Sequence, residues 1–376
     1  MGSIWLRAAG STSPVHLAGN LCTVRRLTAS TTAAIFGTKI WFRRGGMIVA
    51  VIGAVQALWR YPVKSLGGEA IERAEFGPGI HGDRLWAVRD VERDITASCR
   101  RIPKLLLATA HYCAPVPPTA GPGDVPDVEI TFPDGEVLCS KDPTVNTKLS
   151  ELANREVRLT ALPPENDTSL HRLSGRQRNE NLAAVRSDLG IADDETLPDT
   201  SIVPIADMLM LSRYSTPPGT FVDLGPVHVL TDTSLQTIGT EVGHDLDARR
   251  FRPNVLVELD EPETDLPETA WIGHQLLVGA VVLAVRMPTL RCVVPSRPQP
   301  GLDVDRAIPR ALAARAERYL GVYTGVAETG TASVGDPVNL QTRDVSRSGQ
   351  LLTDVARKSK RFLLGAATNA IDRITR

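Results

Sequence analysis

The sequence has few cysteines, and no two of them are closely spaced. The five cysteines among its 376 residues are Cys22, Cys99, Cys113, Cys139 and Cys292. An odd number without a CxxC pair argues against a disulfide framework, a structural zinc site and an iron–sulfur cluster. This usage fits a reducing compartment, and we predict a cytoplasmic protein.

Aromatic residues, net charge and long apolar runs are also scarce. Aromatic residues make up 5% of the chain and the formal net charge is −1, so we expect neither a base-stacking surface nor a field that attracts nucleic acid. No stretch reaches the ~18–20 uninterrupted apolar residues that cross a bilayer. We therefore predict no nucleic-acid partner and no transmembrane segment.

Several common catalytic motifs are absent as well. The sequence contains no GxxxxGK(S/T) loop, no GxGxxG after a strand, no GxSxG elbow and no HExxH. The seven histidines are scattered without the spacing of metal ligands. These absences count against the common NTPases, dehydrogenases and hydrolases.

Residues 1–46 differ from everything that follows, because they contain Arg and Lys but no Asp or Glu. Such a composition resembles a transit peptide, which would place the protein in an organelle. We favour a second interpretation, a disordered or mis-started leader. Met47 follows two glycines and opens the strand-like stretch "MIVAVIGAVQALWR".

The remaining chain predicts a mainly β protein with some α, in two units. Residues 47–165 contain short strands, a hairpin in "DVEITFPDGEVLCS", and a helix and strand in "VNTKLSELANREVRLT". Residues 211–340 contain further strands and a strand, polar loop and helix in "PVHVLTDTSLQTIG". Strands at such intervals indicate a barrel or sandwich. Residues 166–210 are polar and Pro-rich and predict a linker.

Residues 341–376 read as one basic amphipathic helix. Such a helix usually packs against its own domain. Peripheral contact with a membrane surface or a partner is the alternative.

Two segments of the first unit place polar side chains at strand ends. In "RYPVKSL", Pro62 ends the pairing, so Lys64 and Ser65 lie where a strand leaves its sheet. An ammonium and a hydroxyl side by side suit an anion, although a solvated turn lysine is the more ordinary interpretation. In "GIHGDRLWAV", we expect Asp83 to orient Arg84.

The second unit contains a denser basic segment, "RRFRPN". It brings Arg249, Arg250 and Arg252 within four positions, with Asn254 following a proline. Three guanidinium groups held together would repel one another, and a bound phosphate would relieve that repulsion. This segment therefore predicts an anion site.

The stretch "PTLRCVVPSRP" ends an apolar run with Arg291 and Cys292. A cysteine in an electropositive pocket is favoured as the thiolate, which suits a soft metal ion. A small core residue is the alternative interpretation of Cys292.

Taken in order, these segments resemble the MOSC superfamily in its two-domain form, typified by the amidoxime-reducing component of mitochondria and its bacterial relatives. The matching segments are "YPVKSL", "GDRLWAV", "PVHVLTDTSL", "RRFRPNVLVE", "PTLRC" and "GTASVGDPV". The resemblance implies an N-terminal β-barrel domain over residues 47–165 and a MOSC β-barrel domain over residues 211–340.

The resemblance also implies a molybdenum cofactor, a pterin phosphate whose dithiolene chelates molybdenum. Cys292 would be the single protein ligand of the metal and the catalytic residue. The implied cofactor-binding residues are Lys64, Ser65, Arg84, Thr231, Ser234, Arg250, Arg252, Asn254 and Arg291.

The implied activity is reduction of small N-hydroxylated compounds with electrons from a separate redox protein, since no ferredoxin-like domain is fused here. The alternative is a carrier or a binding module of the kind found in cofactor sulfurases. Those enzymes carry a pyridoxal phosphate domain before the MOSC part, and no such domain precedes it here. Leu290 departs from the mitochondrial pattern, which has serine, and this puts the contacts at that position in doubt.

Overall fold

The computed structural model describes residues 47–173, 182–191, 195–262 and 264–343, and the backbone of five short strands before residue 45. Those five strands are Ile4–Arg7, His16–Leu17, Asn20–Leu21, Thr31–Phe36 and Lys39–Arg44. The last of them pairs with the beginning of strand Met47–Arg60. Within the described ranges, no helix combines the length and apolarity needed to span a bilayer.

A seven-stranded barrel forms the larger unit. Its strands, in pairing order, are Met47–Arg60, Val255–Leu259, Val227–Thr231, Tyr319–Glu328, Val281–Leu290, Gln275–Val278 and Pro337–Arg343. The last pairs antiparallel with the first, which closes the barrel. Strand Met47–Arg60, which the sequence analysis assigns to the N-terminal domain, therefore lies within the C-terminal barrel; the domain boundaries stay a prediction.

The pattern of burial along the barrel strands follows from their surroundings. In Val281–Leu290, alternate side chains from Val281 to Thr289 point into the barrel and are buried. Strand Val227–Thr231 is buried on both faces, because helices Asp232–Val242 and Ile308–Ala316 cover its outer side. The predicted fold class, mainly β with some α, is confirmed.

The smaller unit consists of two short sheets and one helix. One sheet contains Ile95–Thr96, Trp86–Asp90, Val157–Ala161 and Val63–Lys64, and the other contains Thr109–Tyr112, Val128–Thr131 and Val137–Cys139. Helix Val145–Ala153 packs on this core through Val145, Leu149 and Ala153. The predicted hairpin and the predicted helix–strand pair are both confirmed. Two further strands, Glu69–Ile71 and Arg73–Phe76, return to the barrel, where Arg73–Phe76 pairs with Gly330–Ser333.

The predicted linker contains helix Leu182–Leu189 and most of helix Ile205–Leu211, and its role as a linker stays a prediction. Two other local predictions need correction. The predicted polar loop after Val227–Thr231 is the first turn of a helix, because the Thr231 hydroxyl caps it by accepting the Ser234 N–H at 3.2 Å. The C-terminal helix does not begin at Gln341, since pairing with the start of strand Met47–Arg60 continues the chain as a strand to Arg343. Residues 344–376 lie outside the described residues.

Candidate functional site

Tyr61 lies at the centre of several predicted site residues. Its side chain is buried and its hydroxyl donates to the Pro253 carbonyl at 3.0 Å. Its backbone N–H donates to Asp83 Oδ1 at 2.7 Å. The guanidinium groups of Arg84 and Arg252 lie 4.8 and 4.3 Å from the centroid of the Tyr61 ring. We call Tyr61, Asp83, Arg84 and Arg252 the Tyr61 cluster.

The two arginines of the Tyr61 cluster differ in how their charge is neutralised. Arg84 forms an ion pair with Asp83, which confirms the predicted pairing. Arg252 has no carboxylate within 4.0 Å among the described residues, and its Nη1 is buried without a hydrogen-bond partner there. A buried, unpaired guanidinium nitrogen is costly, so this position suits an anion.

Three of the predicted site residues adopt left-handed backbone conformations. Ser65, Arg84 and Arg252 have φ values of 77°, 54° and 54°. The left-handed region costs a non-glycine residue roughly 1–2 kcal/mol. Such strain tends to be kept where function requires a fixed side-chain direction. Its occurrence at three residues already singled out by sequence strengthens their assignment to one site.

Lys64 links the smaller unit to the segment that enters the barrel. Its buried Nζ donates to the Phe221 carbonyl at 3.0 Å and to Asp223 Oδ1 at 2.6 Å. Burial lowers the pKa of Lys64, and Asp223 opposes that shift. The Asp223 side chain is 60% exposed because it faces a cavity of ≈ 280 Å³, here called the cleft. Although desolvation in the cleft acts to raise it, Lys64 and Arg100 hold the pKa of Asp223 far below its usual value.

Cys292 lies two residues after the end of strand Val281–Leu290 and is half-buried. It packs against a small group that includes Cys99 and Leu106 of the smaller unit. The Cys99 N–H donates to the Ser65 hydroxyl at 3.1 Å, so Ser65 is hydrogen-bonded to a residue of this group. Burial raises the pKa of the Cys99 thiol, while the positive charge of Arg252 lowers it. Cys292 therefore lies at the junction of the two units, within electrostatic reach of the predicted cationic residues.

Arg291 is buried beside Cys292 and contacts His228. Its Nη2 donates to the Phe251 carbonyl at 2.7 Å, and its Nη1 lies 3.4 Å from His228 Nε2. Its Nε is buried and has no partner among the described residues. Burial, together with the charge of Arg291, lowers the pKa of His228 well below its usual value, so His228 is neutral at pH 7. A second buried guanidinium is thus incompletely paired.

The three arginines of the basic segment do not form one anion site. Arg249 pairs with Asp247 at 2.7 Å. Arg250 is buried and donates to the carbonyls of Pro295 and Asp303. Only Arg252 joins the Tyr61 cluster. The predicted mutual repulsion is therefore avoided by separate partners, and the role of Arg250 as a cofactor contact stays a prediction.

Asn254 connects strands rather than lining the cleft. Its Oδ1 accepts the His228 N–H at 3.1 Å and its Nδ2 donates to the Trp59 carbonyl at 3.3 Å. These bonds position His228 and the strand that leads to Tyr61. A direct contact of Asn254 with a cofactor stays a prediction.

Thr231 and Ser234 form hydrogen bonds with the buried carboxylate of Glu268. The Thr231 N–H and hydroxyl donate to Glu268 Oε1 at 2.7 and 2.8 Å, and the Ser234 hydroxyl donates to Oε2. The structure does not bring these two hydroxyls into the Tyr61 cluster. Their predicted cofactor role is not tested.

Glu268 makes protein stability depend on pH. Burial raises the pKa of its carboxyl, against hydrogen bonds from Ser234 and Thr231 that lower it. A carboxyl with a raised pKa binds protons more tightly in the folded than in the unfolded chain, so stability falls as pH rises above the usual glutamate pKa. We expect Glu268→Gln to flatten this decline, measured by urea denaturation at a series of pH values above the usual glutamate pKa of about 4.3. Glu258→Gln, at an exposed position, should retain the wild-type slope; equal slopes for wild type and Glu268→Gln would contradict the assignment.

Four residues of the site escaped the sequence analysis: Tyr61, Arg100, Asp223 and His228. Tyr61 lies in "RYPVKSL" and His228 in "PVHVLTDTSL", two segments that the sequence analysis selected because of other residues. Their position beside those residues was the signal that could have identified them. Arg100 adjoins Cys99 in "TASCRR", and Asp223 lies in a loop without a motif. No local pattern distinguishes Asp223 from an ordinary loop aspartate.

The fold and the site define a protein of two β-rich units whose junction holds incompletely paired buried arginines beside one half-buried cysteine. The family described as "MOSC domain" matches residues 218–339, and that described as "MOSC N-terminal beta barrel domain" matches residues 52–157. The chain belongs to the MOSC family in its two-domain form. The resemblance stated from sequence is thereby confirmed.

Known relatives cover most of the chain at low identity. Human mitochondrial amidoxime-reducing component 1 is 23% identical over 337 residues, 84% of this chain and 90% of that protein. Human component 2 is 26% identical over 332 residues, covering 81% and 90%. The component 1 of Xenopus laevis is 24% identical over 372 residues, covering 89% and 98%. Among solved structures, YuaD from Bacillus subtilis covers 79% of this chain and 97% of its own, with 11% identity and a TM-score of 0.35.

Proposed function

We propose that this protein binds a molybdenum cofactor at the junction of its two units and reduces N-hydroxylated compounds. The reaction breaks an N–O bond with two electrons and two protons and yields the amine or amidine and water. A separate redox protein would supply the electrons. The observation that carries the proposal is a pair of buried guanidinium nitrogens, Arg252 Nη1 and Arg291 Nε, that have no hydrogen-bond partner among the described residues.

The charges of the site fit an anionic cofactor. Four cations of the proposed cofactor site converge on the junction against the two carboxylates Asp83 and Asp223, an excess of two positive charges. The four are Lys64, Arg84, Arg252 and Arg291. A dianionic phosphate would neutralise this excess and give the orphaned nitrogens charge-assisted hydrogen bonds. The donor set thus fits a pterin phosphate.

Each residue has a distinct task in this proposal. Arg84 and Arg252, fixed on the Tyr61 ring, would hold the phosphate and pterin, with Lys64 and Ser65 on the side of the cleft. Cys292 would supply the thiolate that completes the coordination of the metal, because soft sulfur ligands suit such an ion. When bound, the cofactor supplies the two-electron chemistry, and the protein supplies orientation and electrostatics.

Two titratable groups of the site, His228 and Asp223, have defined protonation states near pH 7. His228 stays neutral near pH 7 because burial and Arg291 both disfavour its charged form. Asp223 stays ionised because Lys64 and Arg100 outweigh its desolvation. Near pH 7 His228 therefore adds no charge to the site, and Asp223 adds one negative charge beside Lys64.

The relatives support the substrate class and the need for a partner. They are named amidoxime-reducing components, which indicates that amidoximes are reduced by them as part of a larger system. They are also named mitochondrial, so the predicted cytoplasmic location of this chain and its organellar alternative both remain predictions.

The proposal is tested by expressing the chain in a host that makes the cofactor. We expect about one molybdenum per chain by elemental analysis and reduction of benzamidoxime with an artificial electron donor. Purified protein without molybdenum would refute the proposal. Protein that holds molybdenum and passes it to an apo-enzyme, but reduces no N-hydroxylated compound, would instead establish the carrier function.

A further inference from the structure

The cleft is small and strongly charged. Its volume of ≈ 280 Å³ lies at the lower end of the range for ligand pockets. Five cationic and three anionic side chains line it. They are Lys64, Arg93, Arg100, Arg101 and Arg155, and Asp90, Asp188 and Asp223. A neutral apolar ligand gains little in such a pocket, so its charges point to a polar occupant.

Asp90 and Asp188 engage three of the five cations. Asp90 Oδ2 lies 2.9 Å from Arg155 and 4.0 Å from Arg93. Asp188 lies 2.7 Å from Arg101. Each of these three arginines therefore has a carboxylate partner in the wall of the cleft.

Arg100 is the remaining cation once Lys64 has paired with Asp223 at 2.6 Å. Its Nε bonds only to the Ser98 hydroxyl, at 3.1 Å. Within the described part of the chain, no carboxylate lies within 4.0 Å of its guanidinium group. Among the described residues, Arg100 is therefore the cation of the cleft wall without a direct carboxylate partner.

The backbone around Arg100 is held in place. The N–H groups of Arg101 and Ile102 both donate to the Ser98 carbonyl at 2.9 Å, and the Ala97 N–H donates to the Val88 carbonyl at 2.8 Å. Although desolvation acts to lower the pKa of Arg100, the negative charge of Asp223 opposes it, and the pKa is raised. Arg100 is thus a fixed cation within electrostatic reach of the predicted metal ligand, and it differs from a freely solvated surface arginine.

We propose that Arg100 determines substrate specificity by binding an anionic group, a carboxylate or phosphate, on small N-hydroxylated substrates. This inference rests on the proposed function. The cleft that Arg100 lines provides the space, and Arg100 directly follows Cys99, which belongs to the same packed group as Cys292. The guanidinium, which has no direct carboxylate partner among the described residues, provides the recognition. A planar guanidinium binds a carboxylate through two parallel hydrogen bonds, which would also orient the substrate.

The test compares a neutral and an anionic substrate of the same shape, benzamidoxime and 4-carboxybenzamidoxime, with the molybdenum-loaded protein. We expect the wild type to prefer the carboxylate, and Arg100→Gln to raise KM for it by about 10- to 100-fold. For benzamidoxime, KM should change little. Molybdenum content and kcat should be unchanged for both substrates. Arg100→Lys should recover part of the loss.

The matched control is Arg93→Gln, which removes the same charge from the same cleft at a residue paired with Asp90. We expect it to leave the preference for the carboxylate intact. Equal effects of Arg100→Gln on both substrates, loss of molybdenum from that variant, or no preference in the wild type would overturn the inference.

Benzoate binding separates this inference from the proposed function. Calorimetry should show benzoate binding to the wild type and Arg93→Gln, and at least about tenfold weaker binding to Arg100→Gln. If the protein reduces neither substrate but shows this binding pattern, the anion site stands and the reductase proposal fails. If benzoate binds wild type and Arg100→Gln equally, the anion site is refuted whatever the activity.

Discussion

Replacing Cys292 by alanine is expected to lower kcat for reduction of N-hydroxylated compounds by more than about 100-fold, because the metal loses its protein ligand. Bound molybdenum should decline far less, since the Tyr61 cluster and Lys64 would still hold the phosphate and pterin. The measurement is turnover with an artificial donor, together with elemental analysis of the same sample. Electronic absorption bands of the metal–thiolate group should also change.

The control for this prediction is Cys113→Ala. Cys113 is exposed on the smaller unit, where its sulfur lies 3.9 Å from that of Cys139. We expect wild-type turnover and wild-type absorption from this variant. If Cys292→Ala reduces its substrates as fast as Cys113→Ala, Cys292 is only a packing residue against Cys99 and Leu106.

Replacing Arg252 by glutamine is expected to weaken cofactor retention by about 10- to 100-fold, the effect of losing charge-assisted hydrogen bonds to a buried anion. The cofactor-free variant should unfold at no lower temperature than the cofactor-free wild type. Arg252 has a buried nitrogen without a partner and two other cations nearby, so its charge destabilises the empty site. Molybdenum content after dialysis and thermal unfolding of both forms are the two measurements.

Arg249→Gln provides the comparison within the same segment. Arg249 is half-exposed and pairs with Asp247, so its loss removes equal charge without touching the Tyr61 cluster. We expect its molybdenum content to match the wild type. Equal loss from both variants would show that general charge retains the cofactor, whereas a cofactor-free Arg252→Gln that melts earlier would assign Arg252 a structural role.

The elements of this fold were largely predictable because they depend on local patterns. The β-branched run Met47–Arg60 predicts a strand, "PDG" predicts a hairpin, and apolar spacing predicts helix Val145–Ala153. The closure of the barrel was not predictable. Strand Met47–Arg60 pairs with strand Pro337–Arg343, which lies at the far end of the described ranges. No local sequence pattern specifies so distant a partner.

The candidate site also has a part that could be predicted from the sequence and a part that could not. Lys64, Ser65, Arg84 and Arg252 could be named because they occur in recognisable segments, and three of them share a left-handed backbone that the sequence does not reveal. By contrast, "RRFRPN" predicted one cluster of arginines, whereas Arg249 and Arg250 found separate partners. Which guanidinium stays unpaired depends on what neighbouring loops place beside it.

The residue types and their order thus determined by themselves that this protein is β-rich and belongs to the two-domain MOSC proteins, while the role of Cys292 as a metal ligand stays a prediction. Only the tertiary structure decided which charges remain uncompensated. Arg84 and Arg252 contact the ring of Tyr61, and Asp223 forms an ion pair with Lys64. Arg100 has no direct carboxylate partner in the described part of the chain. Charge neutralisation depends on distances of a few ångströms between segments far apart in sequence, and such distances exist only once the chain has folded.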